Sequence, residues 1–134
     1  EVVNKLATIC SKKKLILRYS INIDFYTEYK SRGKLFEIKT FNKSNFKSQL
    51  RHGIIQLKEY YFKHAKFYKK TLKDTDLLIL KDTDLFILLN ENPEEIIERE
   101  QIEFLEDQNI TLCWLQNNKI ETFNETKSAI KWLL

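Results

Sequence analysis

The stretch KLFEIKTF at 34–41, followed almost at once by a helix-length amphipathic segment, constrains the fold more than any other part of the chain. Leu35, Phe36, Ile38 and Phe41 form a strand-like run behind Gly33. Successive side chains of a strand point to opposite faces, so Glu37 and Lys39 share one face, two residues apart. Ser44 or Asn45 can cap the following helix, which the pattern carries to about His64. At 100° per residue, Phe46, Leu50, Ile54, Leu57 and Tyr61 fall within about an 80° arc, a core-facing stripe. Beside it lies a polar stripe of Gln49, His52, Gly53, Gln56, Tyr60 and Lys63. A surface helix usually carries mixed solvated charges there; two Gln, a His and a Tyr on one flank hint at a site.

The remaining segments extend the same pattern. Residues 1–11 read as a short helix with Val2, Val3, Leu6 and Ile9 on one side. Residues 15–19 and 21–29 are strand-like, and KSRG at 30–33 has the polar-plus-Gly chemistry of a hairpin turn. LKDTDLLI at 72–79 is almost repeated as LKDTDLFI at 80–87. Two copies are too few for a solenoid and read as a local duplication, with residues 85–89 as the core strand. Asp74, Asp76, Asp82 and Asp84 lack the glycine and terminal glutamate of a calcium loop, so turn chemistry accounts for them. Pro93 opens an acidic helix over about 94–107, with Ile96, Ile97, Phe104 and Leu105 as its apolar residues and Glu94 and Glu95 at the favourable end of its dipole. ITLCWL at 110–115 is a buried strand, NNKIETF a turn and short strand, and 128–134 a terminal helical turn or two. Trp114, Trp132 and Phe104 are expected in the core. The order is helix, three strands, long helix, strand, helix, strand. It implies an α/β fold with a central mixed sheet flanked by helices, and no Gly/Pro/Ser-rich linker divides residues 1–134.

Composition narrows the function classes. The chain has 134 residues, 43% hydrophobic and 13% aromatic, enough for one real core and too apolar for disorder. No apolar run approaches the roughly 18 residues of a membrane span, and no signal-peptide pattern opens the chain. Cys10 and Cys113 lack CxxC spacing, which suggests neither zinc nor a redox motif; buried free thiols in a cytoplasmic protein are the simpler reading, a disulfide the alternative. A chain that begins at Glu1 and contains no Met reads as a piece of something longer. The net charge of +4 conceals an asymmetry: residues 1–70 hold 17 Lys and Arg against 5 Asp and Glu, and residues 71–134 hold 6 against 14. A basic half interleaved with Tyr19, Tyr26, Tyr29, Tyr60, Tyr61, Phe62, Phe67 and Tyr68 suits a phosphate backbone, though lysine-rich surfaces also simply keep proteins in solution.

The pairing of Glu37 with Lys39 gains meaning from Asp24, in the preceding strand. A tight antiparallel hairpin can bring Asp24 and Glu37 close enough to share a cation. Two carboxylates, with the Ile38 main-chain carbonyl as a further ligand, suit Mg²⁺ and leave positions for water and a phosphate oxygen. Lys39 on the same face could orient or deprotonate the attacking water and offset developing charge. His52 and His64, twelve residues apart, are too distant to chelate together and are expected to be solvated.

Asp24, Glu37 and Lys39 across a hairpin, followed by a helix bearing QLKEY, resemble the PD-(D/E)xK nuclease superfamily with its restriction-endonuclease-like αβββαβ core. Gln56 and Tyr60 resemble the QxxxY motif of its RecB-like and CRISPR-associated exonuclease branches, where these residues help position the metal site and the DNA backbone. Ile23 stands where the motif often has proline, and of the acids that the first helix supplies in many members only Glu1 is available. The resemblance, over roughly 1–115, implies a metal-dependent nuclease hydrolysing DNA phosphodiester bonds with Mg²⁺, for which Mn²⁺ can substitute. Such a domain would serve as the catalytic module of a restriction or anti-phage defence protein. It also implies DNA as partner, with Arg51, Lys43 and Lys63 as phosphate contacts, and a homodimer or further domains of a longer chain as assembly partners. A catalytically inert member of the same fold, binding DNA or protein, is the alternative, and an unrelated α/β interaction domain a third.

Overall fold

A computed structural model describes residues 2–20, 23–66 and 79–134. The elements are α1 (Val2–Lys12), β1 (Leu17–Ser20), β2 (Ile23–Tyr29), β3 (Arg32–Lys39), α2 (Phe46–Tyr61), a π-helical turn (Phe62–Lys66), β4 (Thr83–Leu89), α3 (Arg99–Asp107), β5 (Ile110–Gln116), β6 (Lys119–Thr122) and a 3₁₀ stretch (Asn124–Leu133). The six strands form one sheet in chain order. Pairing is antiparallel at β1/β2, β2/β3 and β5/β6, and parallel at β3/β4 and β4/β5. The fold is therefore α/β, with a mixed sheet and β3 in its interior. Among the described residues no helix is long and apolar enough to cross a membrane.

Strand parity sorts the core into two layers. Leu35, Leu85, Ile87, Leu89, Leu112 and Trp114 pack with Phe46, Leu50, Ile54 and Leu57 of α2 and Leu105 of α3. Phe25, Phe36, Phe86, Leu88 and Cys113 pack with Leu6 and Cys10 of α1 and with Ile130, Trp132 and Leu133. Fully apolar runs such as 85–89 are what a strand buried on both faces requires. The expected core strand at 85–89 and the buried strand at 110–115 are both present. Cys10 and Cys113 are free and buried.

Several expectations shift in detail. The β2/β3 hairpin turns on Lys30 and Ser31 alone, with φ of 49° and 65°, and Tyr29 pairs directly with Arg32. Paired positive φ values match the right-handed twist of the flanking strands, which is why a two-residue turn suffices. Gly33 is a strand residue: a Cβ there would meet Thr83 Oγ1 and lie 2.7 and 2.9 Å from the Oη and Cε1 of Tyr26. Tyr26 is fully buried, donates to Glu28 Oε2 at 3.0 Å and accepts from Leu80 N at 3.0 Å, so it cannot yield cheaply. Gly33→Ala should accordingly cost about 1–3 kcal/mol by overpacking, measured as a lowered denaturation midpoint with an unchanged m-value.

The acidic helix begins at Arg99, not near residue 94, because Glu98 and Gln101 form a capping box that fixes its start. Its Phe104 is 51% exposed and not core, whereas Trp114 and Trp132 are buried as expected. Asp84 belongs to β4 and not to a turn; it accepts from Arg32 Nε and Nη2 at 3.1 and 2.7 Å and from Lys34 Nζ at 2.6 Å. Apart from Ile79, the first copy of the duplication, with Asp74 and Asp76, lies outside the described residues, as do Glu1, Phe67 and Tyr68.

Candidate active site

The β2/β3 hairpin builds the centre. Its register pairs Phe25 with Phe36, which brings Asp24 and Glu37 alongside each other at the next step. Asp24 Oδ2 accepts the Ile38 N–H at 2.8 Å, leaving Oδ1 uncommitted to that bond. A strand residue's N–H and C=O point to the same side, so the Ile38 carbonyl also emerges toward β2. Glu37 is 8% exposed, and its Oε2 lies 3.3 Å from Lys39 Nζ. Gly53 lets α2 settle over this spot: a Cβ there would stand 3.4 Å from Lys39 Cγ and 3.2 Å from Ile87 Cδ1.

Between β2, β3 and α2 an open cleft of about 370 Å³ is lined by Asp24, Glu37, Gln56, Glu59, Tyr60, Lys63 and His64. The hairpin pair and the QxxxY pair thus meet in one place. Lys39 sits at its side, through its contact with Glu37. Burial, with the Asp24 carboxylate next in weight, pushes Glu37 up to about 7, while Lys39 draws it down. Two adjacent acids in this state gain most from a cation between them.

The cleft offers the two carboxylates of Asp24 and Glu37, hard oxygens that fit Mg²⁺ or Mn²⁺, while Ile38 lines the neighbouring cavity that it shares with Asp24. Among the described residues no three His, Cys, Asp or Glu side chains converge as a metal cage. Glu59 lines the cleft without completing one.

The other residues distribute unevenly. Gln56 and Lys63 are exposed on the cleft rim. Tyr60 is 8% exposed, at the edge of the core and not on a solvated flank, while Tyr61 is half-buried, packs against the core as its place on the wheel requires, and donates its hydroxyl to the Lys81 carbonyl at 2.7 Å. Arg51 faces a different depression, with Lys47 of α2 and Glu98, Glu100 and Gln101 from the α3 side. Lys43 stands exposed in the loop after β3, outside the cleft lining. That loop is tied internally: Gln49 Nε2 donates to the Thr40 carbonyl at 2.8 Å, and Asn45 Oδ1 accepts the Asn42 N–H at 2.7 Å instead of capping α2.

His64 was expected in solvent and is instead 1% exposed, its ring stacked on Tyr60 with centroids 3.9 Å apart and planes at 18°. Its spacing of four from Tyr60 was the available signal, since such residues lie one above the other on a helix. Comparison with protein-family models, curated proteins and solved structures finds no match.

Proposed function

We propose that this domain is a metal-dependent nuclease of the PD-(D/E)xK type, with a restriction-endonuclease-like core, that hydrolyses DNA phosphodiester bonds. The observation that carries the reading is the meeting of Asp24 and Glu37 with Gln56 and Tyr60 in one cleft, Lys39 touching Glu37. Asp24, Glu37 and the Ile38 carbonyl would hold the divalent ion, which when bound polarises a phosphoryl oxygen and acidifies water. Lys39 orients the attacking water and offsets the negative charge that builds on the phosphoryl oxygens. Water adds its oxygen to phosphorus, one P–O ester bond breaks, and a proton passes to the leaving alkoxide. Gln56 and Tyr60 position the strand, and Lys63 on the rim takes a flanking phosphate. Arg51 and Lys43 stand apart from the cleft and serve as backbone contacts only for DNA that extends beyond it. Use within a restriction or anti-phage defence protein is the biological setting proposed for such an activity.

The test is nicking of supercoiled plasmid with Mg²⁺ or Mn²⁺, absent with chelator and absent in Asp24→Asn. Salt-sensitive DNA binding without nicking in wild-type protein would replace this reading with the inert, DNA-binding one.

The raised Glu37 carboxyl sets a pH dependence. Without metal the folded form holds this proton from about 4.5 to about 7 while the unfolded chain has released it, so this group's contribution to stability falls as pH rises through that window. Ion binding needs the carboxylate. Mn²⁺ affinity should therefore fall about tenfold per pH unit below the Glu37 value and flatten above it. Calorimetry in buffers of differing ionisation enthalpy should count one proton released per ion on the acidic side. A pH-independent affinity would remove Glu37 from the ligand set.

A further inference from the structure

A second cavity, of about 370 Å³, opens at the other end of β3 and on the opposite face of the sheet from the cleft. Its walls come from the β2/β3 turn, the beginnings of β3 and β4, the approach to β5 and the 3₁₀ stretch. Lys30, Arg32 and Lys34 bring three cations to it, against Asp84 as its carboxylate. Asp84 is shared by Arg32 and Lys34, and these two hold its carboxyl below the usual range, so it stays ionised. The lining therefore carries an excess of two positive charges. The Asp84 bonds use Nε and Nη2 of Arg32, which leaves its Nη1 donors to other acceptors.

The cationic wall is built and not merely decorated. Lys34 is 7% exposed, clamped by Asp84 and 5.3 Å above the Trp132 ring. Asn109, Thr111 and Ser128 add neutral hydrogen-bonding side chains, and Tyr29, 6.1 Å from Trp132 between ring centroids, supplies a half-buried aromatic wall.

We infer that this cavity binds a terminal phosphate monoester of a nucleotide, its phosphate on Lys30, Arg32 and Lys34 and its base against Tyr29. Charge selects the monoester, which carries about −1.5 to −2 at neutral pH and so matches the excess of two better than a diester with a single charge. Size selects one nucleotide over a duplex, since the volume falls at the lower end of the small-molecule range. A ring beside cations is what a base and its phosphate require together. The site does not depend on the hydrolytic reading of the cleft.

Two sources offer this chemistry, a free nucleoside monophosphate and the phosphorylated end of a strand, and the experiment separates them. Tryptophan fluorescence would be followed on the full chain carrying Trp114→Phe, which leaves Trp132 as its one tryptophan, in chelator, against adenosine monophosphate, adenosine, inorganic phosphate, and a 5′-phosphorylated trinucleotide beside its unphosphorylated twin. The monophosphate should bind at least about tenfold more tightly than adenosine or phosphate alone, as expected for loss of charge-assisted bonds or of stacking. A trinucleotide preferred over the monophosphate, with its twin weak, identifies the strand end; the reverse identifies the free nucleotide. Lys30→Gln, in the exposed turn, should weaken binding about tenfold with an unchanged far-UV spectrum, and Tyr29→Leu should remove the preference for nucleotide over phosphate. Asp24→Asn should leave both unaltered. Equal binding of adenosine and its monophosphate, indifference to Lys30→Gln, or loss in Asp24→Asn would each overturn the assignment.

Discussion

Lys39→Ala should lower DNA cleavage by about 10²–10³-fold while leaving Mn²⁺ and DNA binding close to wild type, provided the comparison is made well above the Glu37 value of about 7. The pH condition follows from the pair itself. Lys39 Nζ lies 3.3 Å from Glu37 Oε2 and draws its proton affinity down, so removing the ammonium raises Glu37 further and weakens metal binding at neutral pH. At higher pH the carboxylate is restored and the remaining defect belongs to water and transition-state charge. Asp24→Ala and Glu37→Ala should lose metal binding at every pH. Cleavage retained in a rigorously purified Lys39→Ala protein would count heavily against the assigned role.

The largest stability effect is expected at Phe86→Ala. Phe86 is fully buried in β4, stacked on Phe36 with centroids 4.6 Å apart and 6.0 Å from the Trp132 ring. β4 is hydrogen-bonded on both sides, to β3 and β5, so its backbone has little freedom to collapse into the space left. Truncation should cost about 3–5 kcal/mol, a large part of the roughly 5–15 kcal/mol that holds a domain folded. Phe104→Ala, at a ring 51% exposed on α3, should stay within about 0.5 kcal/mol and serves as the control. Equilibrium urea unfolding of both variants checks the contrast, and a cost below about 1 kcal/mol at Phe86 would mean that the two-layer packing is wrong.

The parts of the fold legible in the sequence are those carried by burial. The run 85–89 is apolar at every step, and 110–115 is apolar except at Thr111, because both sit between two layers; no turn chemistry was needed to find them. The wheel of α2 located the core stripe, but the buried set also includes Gly53 and Tyr60. The arc is thus about 120° wide, extended toward the site side. Gly53 is the reason: without a side chain, that flank drops onto Lys39 and Ile87 and carries Tyr60 inward with it.

What stayed hidden depended on tertiary context. Lys30 and Ser31 have no glycine to announce a positive φ, so the turn read as a four-residue segment ending at Gly33. The helix start at Arg99 rests on a reciprocal pair of side-chain bonds, and Glu94 and Glu95 disguise it with equally good dipole chemistry. The nearness of Asp24 to Glu37 was legible because the hairpin that joins them is local in sequence. His64 was not, because its burial depends on how the end of α2 lies against the cleft.

The most direct measurement is the anomalous difference density of a crystal soaked in Mn²⁺. The proposed chemistry predicts a peak bounded by the carboxylates of Asp24 and Glu37 and the main-chain oxygen of Ile38, on the cleft side shared with Gln56 and Tyr60. A fully soaked crystal with no density there, or with the ion bound elsewhere while Asp24 and Glu37 remain unliganded, would contradict it.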